Sequence, residues 1–390
     1  MASLPAFLRR PAVVLVAFVA GVALGLSFAN VREADRPTVP APPPAAGGRP
    51  SSSPTKSSDV RLRVATFNVE VFLAPGVVGS TQLKRFEDDA ARLAHAERIA
   101  AVIETLRPDV INLCEVITKE SVELLVKILH EKGLTEYQGF HIENFDTFTG
   151  EDVAFLSRYP PDVVDGTAIR TIFSRGADSP WREKYSFEAN GRTETKTASL
   201  TRNAVYYFTI NGRKLGFFGL HLKAKPDDVE SNAQRGAQAA VARRVIQQEI
   251  VARGYWPIVL GDLNDYDPDL EDRDATRNTQ TQVLATLKDY DSTQPGAELM
   301  NVAERQPRVF DRHTNYWDFN NNNVVDPGDV NTMLDHILIP RECAGAIERA
   351  FISHSVPPDT TDHSPVVVDL NLAAFPSDAP PAWQPANSRP

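Results

Sequence analysis

The chain has 390 residues, 42% of them hydrophobic and 24% charged, with 41 basic against 51 acidic side chains and a formal net charge of -10. Such a composition excludes wholesale disorder, collagen and coiled coil. The acidic balance argues against a protein that holds nucleic acid mainly through a broad basic surface, and leaves room for an enzyme with a locally basic groove.

In chain order, Arg9 and Arg10 stand before an apolar run from Ala12 to Ala29 whose only polar member is Ser27. Residues 1–30 therefore predict export, through one of two devices. One is a cleavable signal peptide, for which Ser27-Phe28-Ala29 offers a small-x-small site; the other is a short N-terminal membrane anchor with its arginines kept in the cytoplasm. The expected location is the extracytoplasmic face of the membrane, the periplasm or the medium. Residues 31–58 are rich in Pro and Ser, with seven prolines between Pro37 and Pro54, and predict an extended tether. Residues 1–58 hold six basic and two acidic groups, so residues 59–390 hold 35 and 49, a net of -14. Residues 59–375 are the expected folded body, and 376–390 a loose tail.

Within the body, strands are predicted over Arg61–Phe67, Val110–Leu113, Val153–Leu156, Ala204–Thr209, Leu215–Leu220, Ile258–Leu260, Leu334–Ile339 and Val366–Leu370. Helical spacing marks Asp88–Leu106, Thr118–Lys132 and Ser231–Ala252. Asn211-Gly212 between two apolar runs signals a hairpin, so antiparallel pairing accompanies βαβ crossovers and the sheets are mixed. Cys114 and Cys343 are far apart in the chain, and spacing does not decide whether they pair.

Polar residues recur at the ends of the apolar runs: Asn68, Glu115, His221, Asp262 with Asn264, Asp335, and Asp362 with His363. That is where α/β folds place active sites. Each alone is an ordinary strand cap, but the recurrence points to attack of water on a phosphate ester. Glu115, Asp262 and Asn264 offer hard oxygen and amide groups suited to Mg²⁺ or Mn²⁺. A histidine beside a carboxylate suits a general base.

The segments TFNVE (66–70), INLCEV (111–116), GEDVAFLSRYP (150–160), FFGLHLKAK (217–225), VLGDLND (259–265), MLDHILI (333–339) and TDHSP (361–365) resemble, in order, the motifs of the endonuclease/exonuclease/phosphatase superfamily, the deoxyribonuclease I-like metallohydrolases. The resemblance spans about residues 60–372. It implies an α/β (α+β) fold, a four-layer α/β/β/α sandwich of two mixed β-sheets with flanking helices. Glu115 then resembles the principal metal-binding glutamate, with Asn68 beside it. Asp262 and Asn264 resemble the pair at the second metal position, the attacking water or the phosphate, and Asp362 the metal-linked aspartate. His363 resembles the general base, oriented by Asp335. His221 resembles a general acid or phosphate contact, with Asp152 as its expected carboxylate partner and the adjacent Glu151 as the alternative one residue away. Arg158 is a candidate phosphate contact, its alternative a solvated loop arginine. Arg202, Lys223, Lys225 and Arg235 are further basic candidates, for which surface salt bridging is the default.

One segment departs from that pattern. In WDFNNNNVVDPGDVN, counting from Asp318, oxygen ligands fall at Asp318, Asn320, Asn322, Asp326 and Asp329, with the carbonyl of Val324 between them, a calcium-loop spacing whose alternative is an asparagine-rich turn. The expected function is an exported, monomeric, divalent-metal phosphodiesterase acting most readily on nucleic acid, tied to the membrane if the N-terminal segment stays uncleaved. A phospholipid or inositol-phosphate esterase and a catalytically silent binding scaffold are the alternatives.

Overall fold

The computed structural model describes residues 61–78, 86, 88–279, 281–320, 326, 328–376 and 379–380. The export segment, the tether, most of the tail, and Asn322 and Val324 of the calcium-loop reading lie outside these residues. Among the described residues no helix is long and apolar enough to cross a membrane.

The elements follow in chain order: β1 (Arg61–Phe72), α1 (Asp89–Leu106), β2 (Val110–Val116), α2 (Lys119–Glu131), β3 (Gln138–His141), β4 (Asp152–Ser157), β5 (Glu183–Ala189), β6 (Arg192–Ala198), β7 (Asn203–Ile210) and β8 (Arg213–His221). Then come α3 (Val229–Val245), β9 (Trp256–Asp262), α4 (Val283–Lys288), β10 (Leu299–Asn301), β11 (Asn315–Trp317), β12 (Val330–Thr332), β13 (Asp335–Pro340), β14 (Ile347–Ile352) and β15 (Val366–Asn371). Each crossover helix starts and stops where local chemistry dictates. Asp88 caps α1 by accepting from the Ala91 amide at 2.7 Å, and Arg107, left-handed at φ 50°, ends it before Pro108. Asp228 caps α3 in the same way, through Ser231 at 2.8 Å.

Among the described residues two large sheets form, in the orders β14-β15-β1-β2-β4-β3 and β10-β13-β9-β8-β7, beside two hairpins, β5-β6 and β11-β12. Both large sheets are mixed. The β1-β2 and β8-β9 pairs are parallel, joined by the crossovers through α1 and α3, and their other pairs are antiparallel. Asn211 and Gly212 make the two-residue turn between β7 and β8 with φ 49° and 74°, the left-handed pair that such a hairpin needs.

The core is divided by the sheets into three apolar layers. Between the sheets lie Val64, Phe155, Tyr206, Phe208, Phe217, Leu260 and Ile337, with Phe155 and Tyr206 stacked at 4.0 Å. Outside one sheet, α1 and α2 cover Phe67, Ile111 and Leu113; outside the other, α3 and α4 cover Val205, Phe218 and Val259. Central strands are thus buried on both faces, which is why they read as continuous apolar runs. The result is the four-layer α/β/β/α sandwich. Strands β3, β5, β6, β10, β11, β12 and β14 add to the predicted set, and α3 runs on through a π turn to Gly254.

Gly261 shows how tightly this frame binds the site. It lies one residue before Asp262 with φ 139°, and a Cβ there would stand 1.9 Å from the Leu220 carbonyl oxygen on β8. No side chain fits without separating β8 from β9. Gly261→Ala is therefore expected to lower stability by about 3 kcal/mol or more in urea unfolding, combining backbone strain with an unrelieved clash. An unchanged unfolding midpoint would contradict this packing.

Candidate active site

Strand register assembles the site. In the parallel β8-β9 pair His221 lies opposite Asp262, and in the antiparallel β9-β13 pair Asp262 lies opposite Asp335. The second sheet thus delivers three functional residues at one edge. In the first sheet β1 and β2 are parallel, with Asn68 opposite Cys114, and both strands are then irregular. Glu115 adopts φ 64° between Cys114 and Val116, where the pairing with β4 also shifts, and Glu70 and Val71 adopt φ 47° and 52°. Bulges of this kind re-aim side chains at sheet edges. Here the Glu115 carboxylate accepts from the Asn68 amide at 2.9 Å and from the Val71 backbone at 3.1 Å.

The Asn68 amide also donates to Asp262 Oδ2 at 3.0 Å, so one side chain of the first sheet joins carboxylates from both. His221 Nε2 stands 3.9 Å from Glu115 Oε1 and 3.7 Å from Asp262 Oδ2. His363 arrives on the loop before β15. Its Nδ1 is 2.6 Å from Asp335 Oδ2, while its Nε2 faces Asp262 and Asp362 oxygens, both at 3.9 Å. The loop is pinned by Thr361, whose hydroxyl donates to the Asn68 carbonyl at 3.0 Å and accepts from the His363 amide at 3.1 Å. Asn264, left-handed at φ 50°, turns back so that its backbone N–H donates to Asp262 Oδ1 at 2.9 Å.

Burial governs the electrostatics. It pushes Glu115 up to about 7, reinforced by the charges of Asp362 and Asp262; Glu151 up to about 7, reinforced by Glu115; and Asp262 up to about 7, reinforced by Asp335. His221 is held well below its ordinary value by burial and then by the Arg202 charge, so it is neutral. For His363 burial opposes the charge, but Asp335 and Asp362 outweigh it and the imidazole is raised well above its ordinary value. A buried edge crowded with carboxylates is the setting that a hard divalent cation relieves. Among the described residues two clusters could hold a metal, Glu115 with Glu151 and His221, and Asp262 with Asp335 and His363. Asp335 and His363 are already bonded to each other, so the donor set fitting a cation best is Glu115 with Asp262, whose Oε1 and Oδ2 share the Asn68 amide.

The model of the Endonuclease/Exonuclease/phosphatase family matches residues 65–378. The chain belongs to this family. It is accordingly a hydrolase acting on phosphate esters. Among solved structures it is similar to an endonuclease/exonuclease/phosphatase family protein from Leptotrichia buccalis, at 14% identity and TM-score 0.50 over 80% of this chain and 99% of that one. An AP endonuclease from Archaeoglobus fulgidus is also similar, at 14% identity and TM-score 0.50 over 79% and 98%. A TDP2 from Caenorhabditis elegans follows at 15% identity and TM-score 0.46 over 80% and 75%. No curated protein matches the chain.

Two expectations for this endonuclease/exonuclease/phosphatase member need correction. Asp152 does not face His221. Its carboxylate is taken by His141 at 2.7 Å and by the Asn144 amide at 2.8 Å, and it is Glu151 whose Oε2 stands 3.7 Å from His221 Nδ1. Consecutive residues entering a strand point to opposite faces, so the pair slips by one. Arg158 is not at the site either. It follows the far end of β4 and pairs with Asp109 at 2.9 Å and Glu136 at 3.3 Å.

Among the other basic candidates, Arg202 binds Glu151 and donates to the Leu222 carbonyl at 2.8 Å. Arg235 is fully buried rather than solvated, bound to Asp265 at 2.8 Å and to the carbonyls of Lys223 at 2.8 Å and Lys225 at 3.2 Å. Lys223 and Lys225 thus sit on a loop fastened to the turn after Asp262. In the calcium-loop segment, Asp329 accepts from the Tyr316 hydroxyl at 2.9 Å and from the Asp326 amide at 2.8 Å, so the calcium reading rests on the sequence spacing. Cys114 and Cys343 are both buried and unpaired. Sequence reasoning missed Asn315, whose amide lies 3.3 Å from His363 Nε2, and Thr314, whose hydroxyl accepts from the Asp335 amide at 2.9 Å. No apolar run precedes either residue to mark it.

Arg158→Ala is expected to leave turnover unchanged and to cost at most about 1 kcal/mol of stability, as for other exposed ion pairs. A large loss of activity would place a phosphate contact where the structure has none. A second expectation follows from the raised carboxyls. A carboxyl whose folded pKa lies above its unfolded value contributes stability that is complete at low pH and lost as pH rises through the folded value. In chelator, the melting temperature of the wild type is therefore expected to fall more steeply between about pH 5 and about pH 7 than that of Glu115→Gln. Parallel profiles would contradict the raised Glu115.

Proposed function

We propose that this protein is an exported phosphodiesterase that uses Mg²⁺ or Mn²⁺ and acts on nucleic acid, a nuclease in which His363 activates water for in-line attack on phosphorus. The observation that carries the reading is the convergence of the Asp335–His363 pair, at 2.6 Å, with the Asn68-linked carboxylates Glu115 and Asp262. Export is supported by the apolar segment of residues 12–29 behind its arginine pair.

Each residue has a part that its surroundings support. Glu115 and Asp262 would hold the metal, with Asn68 fixing both carboxylates. When bound, the cation would supply charge neutralisation for the phosphate oxygens. Asp335 holds the His363 Nδ1–H, leaving Nε2 to take a proton from water. The nearby carboxylates Asp335 and Asp362 favour the protonated form of His363, and a divalent cation held at Glu115 and Asp262 would offset part of that field. His221, neutral and held between Glu151 and Asp262, donates a hydrogen bond to a phosphate oxygen. Asn264 does the same from its left-handed turn. The retention of His363, Asp262 and Glu115 in one cluster speaks against the silent-scaffold alternative.

The test is nicking of supercoiled plasmid and cleavage of oligonucleotides by the purified protein, with Mg²⁺ or Mn²⁺ and with chelator. His363→Ala is expected to lose about 10²–10⁴-fold in kcat, the scale of general-base catalysis, and chelation to abolish turnover. Activity that survives both would overturn the mechanism.

A further inference from the structure

A cleft of about 960 Å³ opens beside the catalytic cluster, and the phosphodiesterase reading does not use it. Its wall includes Asn315, Trp317, Tyr266 and Leu334, with Lys225 at its edge. The same wall reaches the proposed base. Asn315 pairs with His363 as an isolated bridge, its amide 3.3 Å from Nε2, and the next residue, Tyr316, donates its backbone N–H to the Asp362 carbonyl at 2.9 Å. A group seated in the cleft is therefore held next to any ester bound at His363.

The chemistry of the cleft selects that group. Trp317 is 56% exposed, which leaves indole surface open to a ligand, and its ring and that of Phe319 meet in a T-shaped contact at 5.6 Å. Lys225 is offset by Asp227 and Asp228, which line the same cleft, so the lining carries more negative than positive charge. Asp228 is engaged as the cap of α3 and Asp227 accepts from Thr279 at 2.9 Å, so neither carboxylate turns away freely. A second phosphate would be repelled there. A neutral, planar, apolar group would stack.

We propose that this cleft is a nucleobase subsite, in which Trp317 stacks the base of the nucleotide whose phosphate lies nearest His363. The proposal rests on the phosphodiesterase reading and adds what the acidic body requires, a way of holding a polyanion that does not depend on a basic surface. A bilayer lipid is the less fitting occupant, because the rings line a concave space beside two carboxylates.

The test uses the full chain with Mg²⁺ and a thymidine tetranucleotide, compared with variants of it that each lack one base. For the wild type, removal of one particular base adjoining the cleaved bond is expected to lower kcat/KM by about tenfold, the effect of losing one base–aromatic stack. Trp317→Ala should become indifferent to that base, and Trp317→Phe, which keeps a ring, should regain most of the discrimination. Circular dichroism checks that the exposed substitution leaves the fold intact. The proposal is overturned if the wild type is insensitive to every base, or if Trp317→Ala keeps the same discrimination. It is equally overturned if Trp317→Ala keeps that discrimination and instead loses co-sedimentation with phosphatidylcholine and sphingomyelin vesicles. A wild type that cleaves neither the oligonucleotides nor plasmid sinks the phosphodiesterase reading itself, a result distinct from an active enzyme without base preference.

Discussion

Asp262 is held from three directions, and the rest of the site depends on that. Its backbone pairs with His221 on β8 and with Asp335 on β13, and its carboxylate accepts from Asn68, which belongs to the opposite sheet. A hydrogen bond across the sandwich thus sets the spacing between groups that the two sheets bring separately. The close approach of β8 and β9 at Gly261 leaves no slack in that arrangement. The apolar layer between the sheets, built on Phe155, Tyr206 and Phe217, maintains the geometry from behind, and each such side chain contributes about 1.5–3 kcal/mol on burial.

The electrostatic consequence is a buried anionic edge in an acidic protein. Glu115, Glu151 and Asp262 are all pushed up to about 7 because burial denies them water, with Asp262 adding to the field at Glu115, Glu115 to that at Glu151, and Asp335 to that at Asp262. The nearby arginines are committed: Arg202 to Glu151, Arg235 to Asp265. In the proposed reaction a bound cation would meet a phosphate ester at this edge, and a longer substrate would need contacts that are not ionic. The neutral His221, the side-chain amide of Asn264 and the aromatic wall at Trp317 are groups of that kind.

Much of this could be read from the chain because the functional residues end apolar runs, and a run buried on both faces is hard to mistake. Asn68, Glu115, His221, Asp262, Asp335 and His363 all come together. What failed was finer than strand identity. Choosing between Glu151 and Asp152 required knowing which face each takes at the start of β4, and an apolar run with no polar alternation before it does not say. Arg158 looked eligible because it closes a motif, yet β4 is antiparallel to β2, so one end of the motif carries Glu151 and the other lies at Asp109. Arg235 read as a helix-surface arginine because the sequence does not reveal that Asp265 faces it from the next loop. The short strands β5 and β6, charged throughout and mostly exposed, lack the apolar pattern that marks the others.

The central claim is that these groups direct water, rather than a side chain, at phosphorus. Among the described residues around Asp262, the one thiol close by, Cys114, is fully buried and hydrogen-bonded toward the Leu220 carbonyl, and so is not placed to attack. The most direct measurement is the stereochemical course of hydrolysis of a chiral phosphorothioate diester in isotopically labelled water. A single in-line displacement predicts inversion at phosphorus. Retention, which requires a covalent intermediate on the protein, would contradict the account.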